Sequence, residues 1–490
     1  MVDISSVEIG HEVKTFKREG IAVHESIKYF FEPKSVAVIG ASATPSKLGY
    51  NVLLNLVEGG FQGKIYPVNP NLNEILGFKC YKSVLDIPDE VDLAVLIVPA
   101  KIIPKTLMEC VNKNVKAVIV EAGGFAEVGG EGVELQKKIR EIVRENNIRI
   151  IGPNCAGVVN THGNLITTFA RVKNLKKGGI SFITQAGIFA AGMLEIYGPR
   201  WRISKVVTIG NKVDVDEADI IEYLAEDPDT KVIGMYLEGV SNGRKFLRTL
   251  KEATLKKPIV ILKGGRTEEG KRAVTSHTAS LAGNVEIYDA VFKQSGVAKA
   301  ENLEQLFDLV KFFALQPLMK GKGLAVVTYA GSMGVLSVDR AVSLGLKVAK
   351  LPNMTLKKLK GIAFPWTSNF NPLDLSFLVT TEQYVESVRM LMRTETVNGI
   401  SLIVPALKVI EVGKAVAEIL EDVKTPKPLV FCVPLGEYVI DDVQKVEELG
   451  IPCYPIPERA IDVLYASYMY YLYLKRCSKL TSNISLSDKE

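Results

Sequence analysis

The sequence predicts an α/β protein made of three successive Rossmann-like or flavodoxin-like parallel-sheet domains. Three observations carry that prediction. Short β-branched runs alternate with amphipathic stretches of helix length from Ser35 onward. The alternation restarts twice further along the chain. The 490 residues, 47% hydrophobic and 23% charged, supply enough chain for about three cores.

In the first set, SVAVIG, KIYPVN, LAVLIV, AVIVEAG and IRIIGPN read as strands, with NVLLNLVEG, IIPKTLMECVNK and GVELQKKIREIVREN as the helices between them. Strands that are apolar throughout, rather than alternating, belong to a parallel sheet covered on both faces. This bounds a Rossmann-like domain at 31–160, behind an extension over 1–30 that packs elsewhere. GGISFIT, RISKVVTIGN, KVIGMYLEG and KPIVILKGG, with DEADIIEYLAED and GRKFLRTLKEAT, give a second domain at 161–315. After the linker LQPLMKGKG, GLAVVTYAGS, LKVAKLP, GISLIVPA and KPLVFCVP give a third at 321–475. The polar end, LTSNISLSDKE, reads as a disordered tail within 476–490.

Lys and Arg number 60 against 55 Asp and Glu, a formal charge of +5, and no concentrated basic patch interleaves with aromatics. A dedicated nucleic-acid binder is excluded on that ground. The six cysteines contain no CxxC pair, so neither a disulfide framework nor a structural zinc site is expected, and a reducing cytoplasm fits. The opening residues have no apolar core of a signal peptide. No apolar run reaches the ~18 residues of a membrane span. The tract YASYMYYLYL reads as a packed C-terminal helix.

The chemistry concentrates in glycine loops at strand ends. In VIGASATPSKLG, Gly40 closes a strand, small residues follow, and a helix starts near Lys47. Such a turn lets backbone approach a phosphate at a helix N-terminus, with Ser42, Thr44 and Lys47 as further donors. The motif is not GxGxxG, and the next strand ends in YPVNPN rather than a lone acid, which weakens a nicotinamide-dinucleotide site. A nucleotide-like ligand such as CoA is favoured over a ligand-free turn. GPNCAG, ITQAGIFAAG and TIGNKVDVDE follow later strands in the same way, and backbone N–H groups around Gln185, Ala186 and Gly187 are placed to hold an anion. Only four histidines exist. His277, in KGGRTEEGKRAVTSHTASLAGN, is either an exposed loop histidine or a nucleophilic imidazole that accepts a phosphoryl group. Such an imidazole needs a carboxylate on its other nitrogen. Glu238, ending KVIGMYLEG, fits that part; otherwise it is an ordinary strand-end acid.

GPNCAG, TQAG, GNKVDVDEADIIEYLAEDPDT, YLEG and SHTASLAG resemble the α subunit of ADP-forming acyl-CoA synthetases, relatives of succinyl-CoA synthetase. The resemblance covers about residues 30 to 470, and GLAVVTYAGSMGVLSVDRA with NFNPLDL looks like the family's third domain. It implies the ligase reaction acyl-CoA + ADP + phosphate ⇌ carboxylic acid + CoA + ATP. It further implies that CoA sits around Gly40, Ser42, Thr44 and Lys47 and the Asn69–Pro70 turn. Phosphate would be held at Asn154, Gln185, Ala186, Gly187, Gly210 and Asn211, chiefly by backbone amides. An acyl phosphate would then pass its phosphoryl group to His277, steadied by Glu238. The resemblance puts ADP/ATP and Mg²⁺ on a separate ATP-grasp β subunit, in an α2β2 assembly, with no metal held by this chain. Two departures stand out: TQAG where relatives usually carry SQSG, so Ala186 lacks a hydroxyl donor, and YAGSMG where they often carry NAGGPG. The alternative is a non-catalytic CoA- or acyl-CoA-binding regulatory relative, disfavoured by the presence of His277 and Glu238.

Overall fold

Apolar runs that keep both pleat faces hydrophobic become interior strands here, and the three sets of them make three separate sheets. The computed structural model describes residues 23–187, 192–194, 202–278, 283–366, 370–424 and 426–487; the side chains of 23–24, 275–278 and 480–487 lie outside that description. The first sheet holds β1 (Ser35–Ile39), β2 (Lys64–Val68), β3 (Leu93–Leu96), β4 (Ala117–Val120) and β5 (Arg149–Ile151). All pair in parallel, in the order β2-β1-β3-β4-β5. Every residue of β1, β3 and β4 is buried, as expected of strands covered on both faces by α2 (Leu48–Glu58), α3 (Ile103–Asn112) and α4 (Glu131–Asn146). The strand order reverses direction between β1 and β3, which opens a crevice at their carboxyl ends.

The expected extension is in part a helix, α1 (Val23–Phe31). It buries Ile27, Phe30 and Phe31 completely, and the Phe31 ring stacks on Tyr223 of the second domain at 5.0 Å. Residues 1–22 lie outside the described residues.

The second sheet comprises β6 (Val158–Asn160), β7 (Leu165–Ile166), β8 (Lys176–Thr184), β9 (Arg202–Thr208), β10 (Val232–Leu237), β11 (Ile259–Lys263) and β12 (Ala298–Ala300). Its order is β12-β11-β10-β8-β9-β6-β7, parallel except for the antiparallel edge hairpin β6–β7. Because β6 hydrogen-bonds to β9, the second sheet already claims the chain at 158, ahead of the 160/161 boundary expected from sequence. Its helices are α5 (Glu217–Glu226), α6 (Gly243–Ala253), α7 (Glu268–Thr278), α8 (Val285–Ser295) and α9 (Leu303–Leu315). A capping box between Asp216 and Asp219 fixes the start of α5.

In the third sheet, β13 (Gly323–Thr328), β14 (Lys347–Val348), β15 (Leu373–Asp374), β16 (Gly399–Ile403), β17 (Leu429–Cys432) and β18 (Cys453–Tyr454) are again parallel. β14 and β15 share one edge of β13, and the Asn371 side chain fills the gap between them. It accepts from the Val326 N–H at 2.9 Å and donates to the Leu324 and Ala349 carbonyls. The helices are α10 (Gly331–Ser343), α11 (Asn353–Ile362), α12 (Thr381–Met392), α13 (Val409–Asp422), α14 (Ile440–Glu448) and α15 (Pro457–Ser487).

The second and third domains repeat one turn. Thr184 Oγ1 accepts from the Ala186 N–H and donates to the Ala186 carbonyl, both at 3.1 Å. Thr328 makes the same pair of bonds with Ala330, at 2.9 and 2.8 Å. In both, Thr-x-Ala-Gly ends a central strand and leads into a helix.

Helix α15 corrects the tail expectation. It runs through Ser487 rather than giving way to disorder at 476, because the segment KRCSKLTSNISLS holds neither proline nor glycine to stop it. It reaches back from the third domain onto the second: Tyr470 Oη donates to the Thr254 carbonyl at 2.6 Å, and Arg459 grips Asp308 with two bonds of 2.5 and 2.7 Å. Among the described residues, no helix is long and apolar enough to cross a membrane.

Candidate functional site

The carboxyl ends of the first two sheets meet at a seam through the GPNCAG, TQAG and Gly210–Asn211 loops, and the other residues singled out on the first sheet stand at the ends of its strands. On the first sheet, Gly40 follows β1 with φ +94°, and a Cβ there would collide with the Ile97 carbonyl oxygen at the end of β3. Glycine is required at this reversal point. Ser42 Oγ accepts from the Thr44 N–H at 3.0 Å, and Thr44 and Lys47 stand exposed before α2. Asn69 Nδ2 donates to the Ala41 carbonyl at 2.8 Å while its Oδ1 takes the Asn71 N–H. The Gly40 loop and the Asn69–Pro70 turn are therefore one surface, joined by a side-chain bond across adjacent strands.

The GPNCAG loop crosses from the first sheet to the second. The Asn154 N–H donates to the Ala122 carbonyl after β4, and the Asn211 N–H to the Pro153 carbonyl. Gly210, at φ +54°, lies against the backbone of Pro153 and Asn154 so closely that no side chain fits. Asn154 Nδ2 donates to Asn211 Oδ1 at 3.3 Å, and Asn211 Nδ2 donates in turn to Glu127 Oε2 and Gln136 Oε1. Burial pushes the Glu127 carboxyl up, but bonds from Phe125, Asn211 and Gly124 outweigh it and hold the group below its usual range.

On the second sheet, Gln185 is fully buried, and its Oε1 accepts the N–H groups of both Glu238 (2.5 Å) and Gly239 (2.9 Å). The Ala186 N–H is taken by Thr184, so this amide is not available as an anion donor in the way the sequence suggested. Gly187 packs at its Cα on Ala156 of the GPNCAG loop; a Cβ there would lie 3.1 Å from the Ala156 methyl. Glu238 directly follows β10, buried, against Tyr236, whose hydroxyl is pushed up to about 12 by burial and by the Glu238 charge.

Two lysines that sequence reasoning missed complete this corner. Lys263, the last residue of β11, is buried; its Nζ donates to the Glu238 carbonyl at 2.7 Å and to that of Gly264, over the Tyr288 ring at 4.7 Å. Burial lowers its pKa to about 8 against the pull of Glu238, with Lys271 and Lys212 adding to the fall. Lys212 Nζ donates to the Gly239 carbonyl at 2.7 Å and to Glu217 Oε2 at 2.9 Å. Every backbone group of the Glu238–Gly239 pair named here is thus clamped, the N–H groups by Gln185 and the carbonyls by two ammonium groups. Beside the backbone amides expected from sequence, this corner therefore carries two buried lysines.

A third missed residue is Glu121, directly after β4. It is buried, burial alone pushes its carboxyl well above the usual range, and both oxygens lack a hydrogen-bond partner. The common signal for Glu121 and Lys263 is a single charge ending an otherwise apolar strand, AVIVE and IVILK.

His277 sits in the last turn of α7, which packs against the turn Ala126–Val128 of the first domain. The helix carrying it therefore reaches the seam; the His277 side chain and residues 279–282 lie outside the described residues. Among the described residues, no three His, Cys, Asp or Glu side chains are grouped to hold a metal ion.

The CoA binding domain family matches residues 34–161, and the family described as a succinyl-CoA ligase like flavodoxin domain matches 177–313. The α subunit of acetate–CoA ligase (ADP-forming) II from Pyrococcus furiosus is 41% identical over 90% of this chain and 96% of its own length. Acetate–CoA ligase (ADP-forming) II of Archaeoglobus fulgidus is 41% identical over 89% of this chain, and the Methanocaldococcus jannaschii acetate–CoA ligase (ADP-forming) is 43% identical over 91%. The chain spans 66% and 63% of the length of those two relatives. A dinucleotide-forming acetyl-coenzyme A synthetase 1 of Ca. Korarchaeum cryptofilum, solved with phosphate and ADP, superposes with a TM-score of 0.87 at 33% identity, over 92% of this chain and 98% of that one.

Proposed function

The chain belongs to the family of ADP-forming acetate–CoA ligases, matching its α subunits nearly end to end, and from that premise we propose that it performs the acyl-transfer and phosphoryl-relay half of an ADP-forming acyl-CoA synthetase. Phosphate attacks the thioester carbonyl, CoA leaves as its thiol, and the acyl phosphate hands its phosphoryl group to His277. The phosphohistidine then delivers it to ADP with Mg²⁺ on a partner subunit of the ATP-grasp type, paired with this chain as α2β2.

One observation carries this reading: the GPNCAG and TQAG loops and the Glu238–Gly239 pair meet at the seam between the first two sheets, the helix bearing His277 packs on the first domain, and the Gly40 turn stands at the carboxyl end of that same first sheet. CoA is assigned to Gly40, Ser42, Thr44, Lys47, Asn69 and Pro70. Phosphate is assigned to Asn154, Gln185, Gly187, Gly210 and Asn211, with the Lys212 and Lys263 charges behind them, while Ala186, whose amide Thr184 holds, shapes the loop without donating. Glu238 steadies the imidazole; its strand-end backbone is clamped on both sides, which suits a carboxylate that must keep its place while a charged group arrives.

The test is to incubate the protein with acetyl-CoA and labelled phosphate and look for acid-labile, base-stable label on the chain. Label should appear, and His277→Ala should abolish it; label that persists in that variant rejects the nucleophile. CoA binding with no label from any acyl-CoA would favour a regulatory role. Net ATP formation is expected only when a nucleotide-binding partner is added.

A further inference from the structure

Glu121 is a physical anomaly that the reading above leaves unused. A buried carboxyl is normally paired or hydrogen-bonded, since taking it out of water uncompensated is unfavourable. Here neither oxygen has a partner, and among the described residues no cation stands against the group. A structural role would be served better by glutamine or leucine in the same space.

Its position is specific. The Glu121 N–H donates to the Leu96 carbonyl, so the residue sits beside the end of β3, with Gly40 one further strand away. Two strand spacings put it roughly 10 Å across the sheet edge from the Gly40 turn. On its other side lies the loop that carries Asn154. Gly157 of that loop, at φ +77°, comes so near that a Cβ would lie 2.5 Å from Glu121 Oε1 and 2.8 Å from Thr167 Oγ1. The carboxyl therefore stands between the turn assigned to CoA and the loop assigned to phosphate. Its titratable neighbour is Cys155, whose thiol is pushed up to about 12 by burial and by Glu121 itself, and which donates to the Val120 carbonyl at 3.2 Å. Cys155 is thus a thiol rather than a thiolate and offers no competing base. The adjoining TQAG loop holds another buried polar atom without a partner, Gln185 Nε2.

We propose that Glu121 is the general acid of the thioester-cleaving step, giving its proton to the departing CoA sulfur; the proposal rests on the acyl-CoA reading above. The chemistry closes. A phosphate oxygen of HPO₄²⁻ forms a bond to the carbonyl carbon, the C–S bond breaks with its electron pair on sulfur, and the Glu121 proton makes CoASH. The proton carried in by phosphate then restores the acid, leaving the acyl phosphate as a dianion. A carboxyl whose burial, without a charged or hydrogen-bonded partner, favours the protonated form is suited to this donor role.

The experiment separates the two half-reactions in the full chain supplied with its nucleotide-binding partner. Labelling of the protein from acetyl-CoA and labelled phosphate needs thioester cleavage; labelling from acetyl phosphate labelled at phosphorus bypasses it. Glu121→Gln should slow the first by 100- to 10,000-fold, the range of general acid catalysis, and leave the second within about 3-fold of wild type. Glu121→Asp should restore part of the first. Glu121→Gln should also melt no lower than wild type, since the amide is isosteric and the carboxyl it replaces has no partner to lose. Equal rates in the first assay overturn the proposal, and so does parallel loss of both assays, which would mark Glu121 as structural. If the wild-type protein is labelled by neither donor, the acyl-CoA reading itself falls, and this proposal falls with it.

Discussion

Lys205 and Asp227 form an ion pair sealed from water, 2.8 Å long with side chains 1% and 3% exposed, and Thr230 bonds the same carboxylate. Removing one partner leaves the other charged and buried, so Lys205→Met should cost about 3–5 kcal/mol in urea unfolding with an unchanged m-value. Lys263 predicts a pH effect. Its folded pKa of about 8 lies below the ordinary 10.5, so between those values the unfolded chain holds a proton that the folded chain lacks. Wild-type stability should therefore rise, relative to Lys263→Met, as pH goes from 8 to 10.5. Comparing urea midpoints of the two proteins at pH 7.5 and 10 checks this; a wild-type advantage that shrinks with pH would contradict it. Gly40 and Asn69 were legible as a motif because turn chemistry is local. Glu121 and Lys263 were not, because a charge ending an apolar strand reads as the point where the strand surfaces. Only the loops folded over them, separated by tens of residues, keep them buried.

Strands and helices with strong apolar runs were readable one by one, including all five strands of the first sheet and the aromatic helix YASYMYYLYL within α15. The hairpin β6–β7 was not, since two- and three-residue strands carry no period and exist only by pairing, β6 with β9 and β7 with β6. Likewise β14 and β15 survive as strands because β13 offers them an edge and Asn371 fills the space between. Helix α15 owes its position to aromatic contacts: Tyr470 meets Phe313 of α9 edge-on at 5.7 Å, and the Tyr473 ring lies so near Gly296 that a Cβ there would overlap it. Phe313→Ala should lower stability by about 3–5 kcal/mol. Gly296→Val, at φ +73°, should displace the helix and loosen the third domain, read as faster amide exchange in α15.

At the scale of the molecule, sequence gave three domains but not how they lock, because the locking residues are scattered. Arg149 at the end of the first sheet donates to Asp214 at 2.8 Å, lies 3.5 Å from Asp219, and bonds Ser26 of α1, gathering three separate segments. Arg149→Met should split a single calorimetric transition into two, the first domain melting apart from the rest; one undivided transition would argue that the seam is held elsewhere. The reach of α15 has a different consequence, in the order of events at synthesis. The second domain is complete in sequence by residue 315, yet Thr254, Gly296 and Phe313 are covered by tyrosines made some 160 residues later. While the third domain is being translated, that surface of the second stays open. A chain cut short before Tyr470 is left with an exposed apolar face and a tendency to aggregate, so the cell receives either the whole three-domain unit or a product its proteases can recognise.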